Sequence, residues 1–225
     1  MKYLTYLNSG CKSICDNMLL SSEKVGIDKS QFIIVAFDKP VYNYYLDKGY
    51  VVDLYADESE EPYFNWTWDK NSKFRNLVKN KWQIIKKYYS SNKNLMWLDT
   101  DVVFIKNPEI YLKEMTLPTF QIDYPVKCAC TGLMYFPEHN LSEKIINDLG
   151  LQNTEDDQIV CNKYLTQQLS KNDVDYFNLN YFPNGGYFYD EKGTSLESTV
   201  MLHCNYIVGL ENKINRLKET GVWYL

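Results

Sequence analysis

Residues 95 to 105, Leu-Met-Trp-Leu-Asp-Thr-Asp-Val-Val-Phe-Ile, set two carboxylates inside an otherwise apolar run. Leu95 to Leu98 reads as a fully buried strand, and so does Val102 to Ile105. A charge inside such a run is strongly unfavourable unless it is paired or binds metal. In an extended chain, residues two apart point the same way. Asp99 and Asp101 are therefore expected to face one cavity at the carboxyl end of a strand. Like charges that close repel, and a divalent cation is the simplest compensation. Two carboxylates with open positions suit a hard ion such as Mg²⁺ or Mn²⁺, which can also bind a diphosphate. The competing reading, a solvated turn between strands, is disfavoured by the apolar residues on both sides.

The residues before this run supply a scaffold for it. Tyr3 to Leu7, Phe32 to Phe37 and Val51 to Tyr55 read as strands. Residues 11 to 25 read as a helix with Ile14, Met18, Leu19 and Val25 on one side, ended by Gly26. A shorter helix spans 41 to 47. Strand, helix, strand, helix, strand implies a parallel sheet of Rossmann type. Ligands of such sheets lie at the carboxyl ends of the strands, where Asn8 and Asp38 fall. Taken alone, each of these two reads first as a turn residue.

Residues 56 to 70 are acidic, aromatic and aperiodic, the pattern of a surface loop. Residues 71 to 90 read as one helix. At about 100° per residue, Phe74, Leu77, Val78, Ile85 and Tyr88 fall within about 60° of one direction. Lys81 sits in the middle of that stripe. It either snorkels to the surface or meets an internal anion. The helix leads directly into the acidic strand, which favours the anion. Arg75 lies at the stripe's edge and is the weaker candidate.

Beyond the acidic pair, Asn107-Pro108 starts a short helix, and 119 to 122 and 131 to 136 read as strands. A helix spans 139 to 149. The next opens at Thr154-Glu155-Asp156-Asp157-Gln158 and runs to about Leu169. Asp157 stands three after Thr154, the spacing of a capping box, so capping and catalysis both remain open for it. Residues 176 to 190 are aromatic, with a turn at 182 to 186. Thr199 to Leu202 is a buried strand ending at His203, one of two histidines. His203 is either a satisfied core residue or a ligand; its place at a strand end parallels that of the acidic pair. Gly209 precedes a last helix with Leu210, Ile214 and Leu217 inward and Lys213 beside them.

Composition narrows the function classes. The 225 residues carry a net charge of -5, which offers no nucleic-acid surface. No apolar run approaches the ~20 residues of a membrane span, and no signal peptide is visible. The six cysteines match no zinc spacing and read as free thiols. A soluble cytoplasmic protein is the expectation. Abundant Lys, Asn and Tyr with two arginines fit an AT-rich viral or microbial genome, and a virus-encoded protein would act in the host cytoplasm.

Taken in order, these residues resemble a family. The Lys81 helix, Asp99-Thr-Asp101, Thr131-Gly132, Asp157-Gln158 and His203-Cys-Asn205 with Gly209 and Lys213 resemble the nucleotide-diphospho-sugar glycosyltransferases of the GT-A fold. The nearest likeness is to the group that includes glycosyltransferase family 77, and glycogenin-like family 8 is more distant. The segment from Asn17 to Ile27 also resembles that family's first helix. The resemblance implies an α/β, Rossmann-like mixed sheet flanked by helices. It implies one catalytic domain over 1–225, with 1–105 the nucleotide and metal half and 106–225 the sugar and acceptor half. It implies a divalent metal, usually Mn²⁺, on Asp101 and His203, with Asp99 assisting and touching the ribose. Lys213 and Lys81 would contact the donor phosphates, with Gly209 in the same tail. Tyr6, Asn8 and Asp38 would contact base and ribose. Asp157 and Gln158 would flank the sugar. Many relatives have Asn or Ser where this chain has Thr131, so the sugar contact there stays open.

The activity so implied is metal-dependent, configuration-retaining transfer from a nucleotide sugar, UDP being the commonest donor nucleotide, to a glycan or other hydroxyl acceptor. Gln158 is uncharged and a poor nucleophile, which favours front-face attack over a covalent intermediate. Two rivals remain. Asp99-Thr-Asp101-Val-Val103 also fits a haloacid-dehalogenase-type phosphatase, but that motif closes the first strand of its domain, and about 95 residues of α/β pattern precede it here. A non-catalytic sugar-binding module would leave the acidic pair without a purpose.

Overall fold

The computed structural model describes residues 1–55, 77–152 and 156–225. The loop expected at 56–70, Phe74, Arg75 and Thr154 lie outside them. A seven-stranded sheet carries the chain, in the order β3-β2-β1-β4-β7-β6-β8. Its parallel half is β1 (Lys2–Leu7), β2 (Phe32–Ala36), β3 (Val51–Leu54) and β4 (Leu95–Leu98). β7 (Cys128–Phe136) runs antiparallel to β4 and to β6 (Thr119–Asp123), and β8 (Asp175–Tyr176) adds parallel to β6. The sheet is thus mixed. Its parallel half follows the alternation of apolar strands with helices α1 (Lys12–Lys24) and α2 (Lys39–Asp47). β1, β2 and β4 are almost wholly buried because helices cover both of their faces.

Local chemistry ends these elements where the sequence suggests. Gly26 adopts φ 82° and stops α1. Asp38 caps α2 by accepting from the Val41 N–H at 2.8 Å, with Pro40 in the first turn. The expected helix 71–90 is broken: Leu77 and Val78 are helical, Lys79 and Asn80 turn, and α3 begins at Lys81 (Lys81–Tyr89). Lys81 therefore opens a helix, and it is buried there among Leu77, Val78, Trp82 and Ile85.

After β4 the chain leaves the sheet. Asp99 donates its N–H to Gly132 O at 2.8 Å, and a tight turn through Thr100 and Asp101 follows. β5 (Val102–Phe104) then pairs antiparallel with β9 (Met201–His203) in a second small sheet. The two carboxylates converge through this turn and not through strand alternation. α4 (Glu109–Leu112), α5 (Asn140–Leu149), α6 (Asp157–Gln168) and α7 (Leu210–Glu219) complete the helices of the described residues. His139 caps α5 by accepting from the Leu141 N–H. The turn expected at 182–186 is tied down: Asn184 bridges to His203, and a single wide helical turn follows over Gly186–Asp190. The Gly185 Cα lies so close to the Asn205 carbonyl that a Cβ would stand 2.4 Å from it, so only glycine fits.

Candidate active site

A cavity of about 960 Å³ opens where β1, β4 and β7 meet the small β5–β9 sheet. Of the residues singled out in the sequence, Tyr6, Asn8, Lys81, Asp99, Asp101, Thr131, Asp157, Gln158, His203, Gly209 and Lys213 all line it. Asp38 does not. Its carboxylate accepts from the Ser9 N–H at 2.6 Å and the Ser9 hydroxyl at 2.9 Å besides capping α2, so it braces the ends of β1 and β2. Asn8 lines the wall while its side chain accepts from the Gly10 N–H. The partly buried Tyr6 ring packs against Phe37 and Trp97, and desolvation raises its phenol well above the usual tyrosine value.

Asp99, Asp101 and His203 form one group, each offering a ligand atom within 4.8 Å of the others. Antiparallel pairing puts Val102 opposite His203, which brings the imidazole beside Asp101. His203 Nε2 lies 3.3 Å from Asp101 Oδ1, and Lys213 donates to Asp101 Oδ2. Burial alone would raise the Asp101 carboxyl, but the Lys213 and His203 charges outweigh it and hold it below the usual range. Burial alone would lower His203, and the Asp101 carboxylate reverses this, pushing it up to about 10. The donor set suits a divalent cation: two carboxylates and an imidazole converge, and His203 presents Nε2 toward them. Gly132 makes the approach possible, because a Cβ there would stand 2.1 Å from His203 Cε1 and 2.8 Å from Asp99 Oδ2.

A second cluster adjoins the first. The Lys81 ammonium, almost fully buried, lies 2.6 Å from Asp157 Oδ2 and 3.1 Å from Asp99 Oδ1, and donates to Thr131 O at 3.2 Å. The internal anion expected for it is this carboxylate pair. Burial would lower its pKa, but Asp157 and Asp99 hold it well above the usual lysine value. The Thr131 hydroxyl donates to Asp157 Oδ2 at 2.6 Å. Asp157 is thus aimed inward, and the cap of α6 is Asp156, which accepts from the Gln158 and Ile159 N–H groups. Gln158 is clamped at both ends: its Oε1 accepts from the Thr131 N–H at 3.3 Å, and its Nε2 donates to Asp123 Oδ2 at 2.9 Å.

Sequence reasoning missed Asp123, whose Oδ1 also accepts from the Asn205 and Asn184 amides. It missed Gln121 too, a glutamine set between Phe120 and Ile122 in β6, which was a signal available in the sequence. The cysteines are unpaired with one another, as expected. Among the described residues, no helix is long and apolar enough to cross a membrane.

A sequence profile of the nucleotide-diphospho-sugar transferases matches residues 29–217. The chain belongs to that family. One relative, the UDP-galactose:fucoside alpha-3-galactosyltransferase of Dictyostelium discoideum, is 25% identical over 278 residues. The match takes in all of this chain and 43% of that protein, so the chain spans less than half of its relative's length. The fold is that of the GT-A glycosyltransferases. The glycosyltransferase GlyE of Streptococcus pneumoniae TIGR4, in its apo form, superposes with a TM-score of 0.58 at 12% identity, over 99% of this chain and 64% of that one. The galactosyltransferase LgtC, solved with donor and acceptor sugar analogs, gives a TM-score of 0.58 at 12% identity over 92% of this chain and 88% of that one. Family membership disfavours the phosphatase and the non-catalytic module. In this chain, Asp99 follows the fourth strand of the sheet in chain order and not the first.

Proposed function

We propose that the chain is a metal-dependent, configuration-retaining glycosyltransferase that moves a hexose from a UDP-sugar to an acceptor hydroxyl. UDP-galactose is the donor to test first. The observation that carries this reading is the Asp99, Asp101 and His203 group set beside Lys213 on one side and Asp157 with Gln158 on the other. The printed activity of the Dictyostelium relative supports the choice of donor, and its alpha linkage supports retention.

In this reading Asp101 and His203 hold a divalent ion, Mn²⁺ or Mg²⁺, with Asp99 completing the protein's share. The ion, when bound, supplies Lewis acidity to the departing diphosphate. Lys213 and Lys81 place fixed positive charge near the phosphates, where negative charge builds as the glycosidic bond breaks. Gly209, at φ 90°, sets the start of α7 so that Lys213 points into the cavity. Tyr6 and Asn8 form the nucleoside end, with Asp38 acting only through the strand ends it braces.

Asp157 is positioned by Lys81 and the Thr131 hydroxyl to orient the sugar and to offset positive charge on an oxocarbenium-like carbon. The Gln158 amide, bound at both ends, is held rigid and uncharged beside it. A neutral carboxamide is a poor nucleophile. The acceptor hydroxyl therefore attacks from the leaving-group face, and its proton passes to the departing phosphate.

The test is release of UDP from a panel of UDP- and GDP-sugars, with and without acceptors that include simple fucosides and galactosides. The outcome expected is release from one UDP-sugar, stimulated by acceptor, abolished by chelation and restored by Mn²⁺. Phosphate release from phosphomonoesters, with no nucleotide-sugar turnover, would overturn the reading.

A further inference from the structure

Gln121 lies on β6 with no solvent exposure, and both ends of its amide are committed. Its Nε2 donates to the Phe182 carbonyl at 3.1 Å, and its Oε1 lies 2.6 Å from His203 Nδ1. The Phe182 carbonyl can only accept, so it fixes the –NH₂ end of the amide and leaves the oxygen facing the imidazole. An oxygen at 2.6 Å requires Nδ1 to carry the proton. In the neutral ring that leaves the Nε2 lone pair pointing at Asp101 Oδ1, 3.3 Å away. That contact is satisfied either by a second proton, carried on Nε2, or by a metal cation between the two atoms, so an ion that binds there takes the place of the Nε2 proton while Nδ1 keeps its own.

The ring has no ready alternative. Its backbone N–H donates to Pro183 O at 3.1 Å, and the Gly132 backbone packs against Cε1 and Nε2. The other group near Nδ1 is the Cys130 thiol at 3.8 Å, a weak partner.

We propose that Gln121 is the positioning residue of the metal centre: it holds His203 as the Nδ1–H tautomer and presents Nε2 to the ion. This rests on the reading of Asp101 and His203 as metal ligands. Gln121 touches neither ion nor substrate and acts through the imidazole alone. The Phe182–Gln121–His203 chain also ties the aromatic segment before β9 to the metal centre. Because imidazole favours Mn²⁺ over Mg²⁺, Gln121 contributes to which metal is taken. Partners that orient a ligating histidine are typically worth about 10–100-fold in metal affinity.

Mn²⁺ and Mg²⁺ are titrated calorimetrically, with UDP present, into wild type, Gln121→Met, His203→Ala and the double variant. Gln121→Met keeps the length of the side chain and removes the acceptor. It is expected to lose tenfold or more in Mn²⁺ affinity and far less in Mg²⁺ affinity, with no further loss in the His203→Ala background. Unchanged Mn²⁺ affinity, or an equal loss in the His203→Ala background, overturns the proposal. An equal loss for both metals also overturns it. Unchanged Mn²⁺ binding in His203→Ala would sink the metal reading itself, whereas failure confined to Gln121→Met sinks only the inference. A second measurement needs no variant at position 121. The ¹⁵N spectrum of histidine-labelled protein with Mg²⁺ and UDP contains two imidazoles, and His139→Gln assigns them. A protonated Nδ1 on His203 supports the proposal, and an unprotonated Nδ1 overturns it.

Discussion

Lys81 and Asp157 form a buried ion pair, Nζ to Oδ2 2.6 Å, that joins the first turn of α3 to the first turn of α6 across the cavity. Asp99 shares the same ammonium at 3.1 Å. One cation therefore compensates two carboxylates drawn from opposite halves of the chain.

Replacing Lys81 with Met leaves both carboxylates without their shared cation, the buried Asp157 more acutely than the partly exposed Asp99. Breaking a buried pair from one side costs ~3–5 kcal/mol, and urea unfolding should show a loss of that order. Adding Asp157→Asn to the variant should return part of it. UDP binding to the folded variant should weaken at least tenfold, because the diphosphate would then meet uncompensated negative charge. Unaltered stability would mean that the pair is not formed in solution.

Asp157→Asn keeps the size of the side chain and leaves the Asp156 cap in place. UDP affinity should change little while sugar transfer falls by a hundredfold or more. Comparing UDP titrations with acceptor-dependent turnover checks both halves of the statement. Full turnover in this variant would reduce Asp157 to a structural partner of Lys81.

Gly132→Ala drives a methyl group into the His203 ring and toward Asp99. Overpacking of this kind costs about 1–3 kcal/mol, so the fold should survive with a lower melting temperature. Mn²⁺ binding should fall disproportionately, since both displaced side chains belong to the metal group. Melting curves and Mn²⁺ titration on the same preparation decide it. A variant that melts early yet binds Mn²⁺ as wild type would show that the ring tolerates displacement.

Asp99, Asp101 and His203 supply too few ligands for an octahedral ion, so a nucleotide diphosphate should complete the shell. Mn²⁺ and UDP should then each tighten binding of the other by the same factor, as linkage requires. Titrating each ligand with and without the other measures both factors. Independent binding would remove the diphosphate from the metal shell.

The apolar runs, their alternation with helices and the acidic pair at a strand end were legible in the sequence. Burial pattern and local capping are written into neighbouring residues, and Gly26 and Asp38 act where they stand. What the sequence left open was which groups meet. Asp157 read equally well as a cap or as a site residue; in the structure Asp156 is the cap, and Asp157 turns toward Lys81 and Thr131. His203 could have been a core residue until β9 paired with β5 and set it against Asp101. Asp38 looked as well placed as Asn8, yet its two oxygens brace the strand ends away from the cavity. Gln121 was an unremarked glutamine between Phe120 and Ile122, and its partners, Phe182 and His203, lie far along the chain. The physical reason is common to all four. Periodicity reports which face of an element is buried, whereas the chemistry of a buried polar group depends on what packing brings opposite it from distant segments.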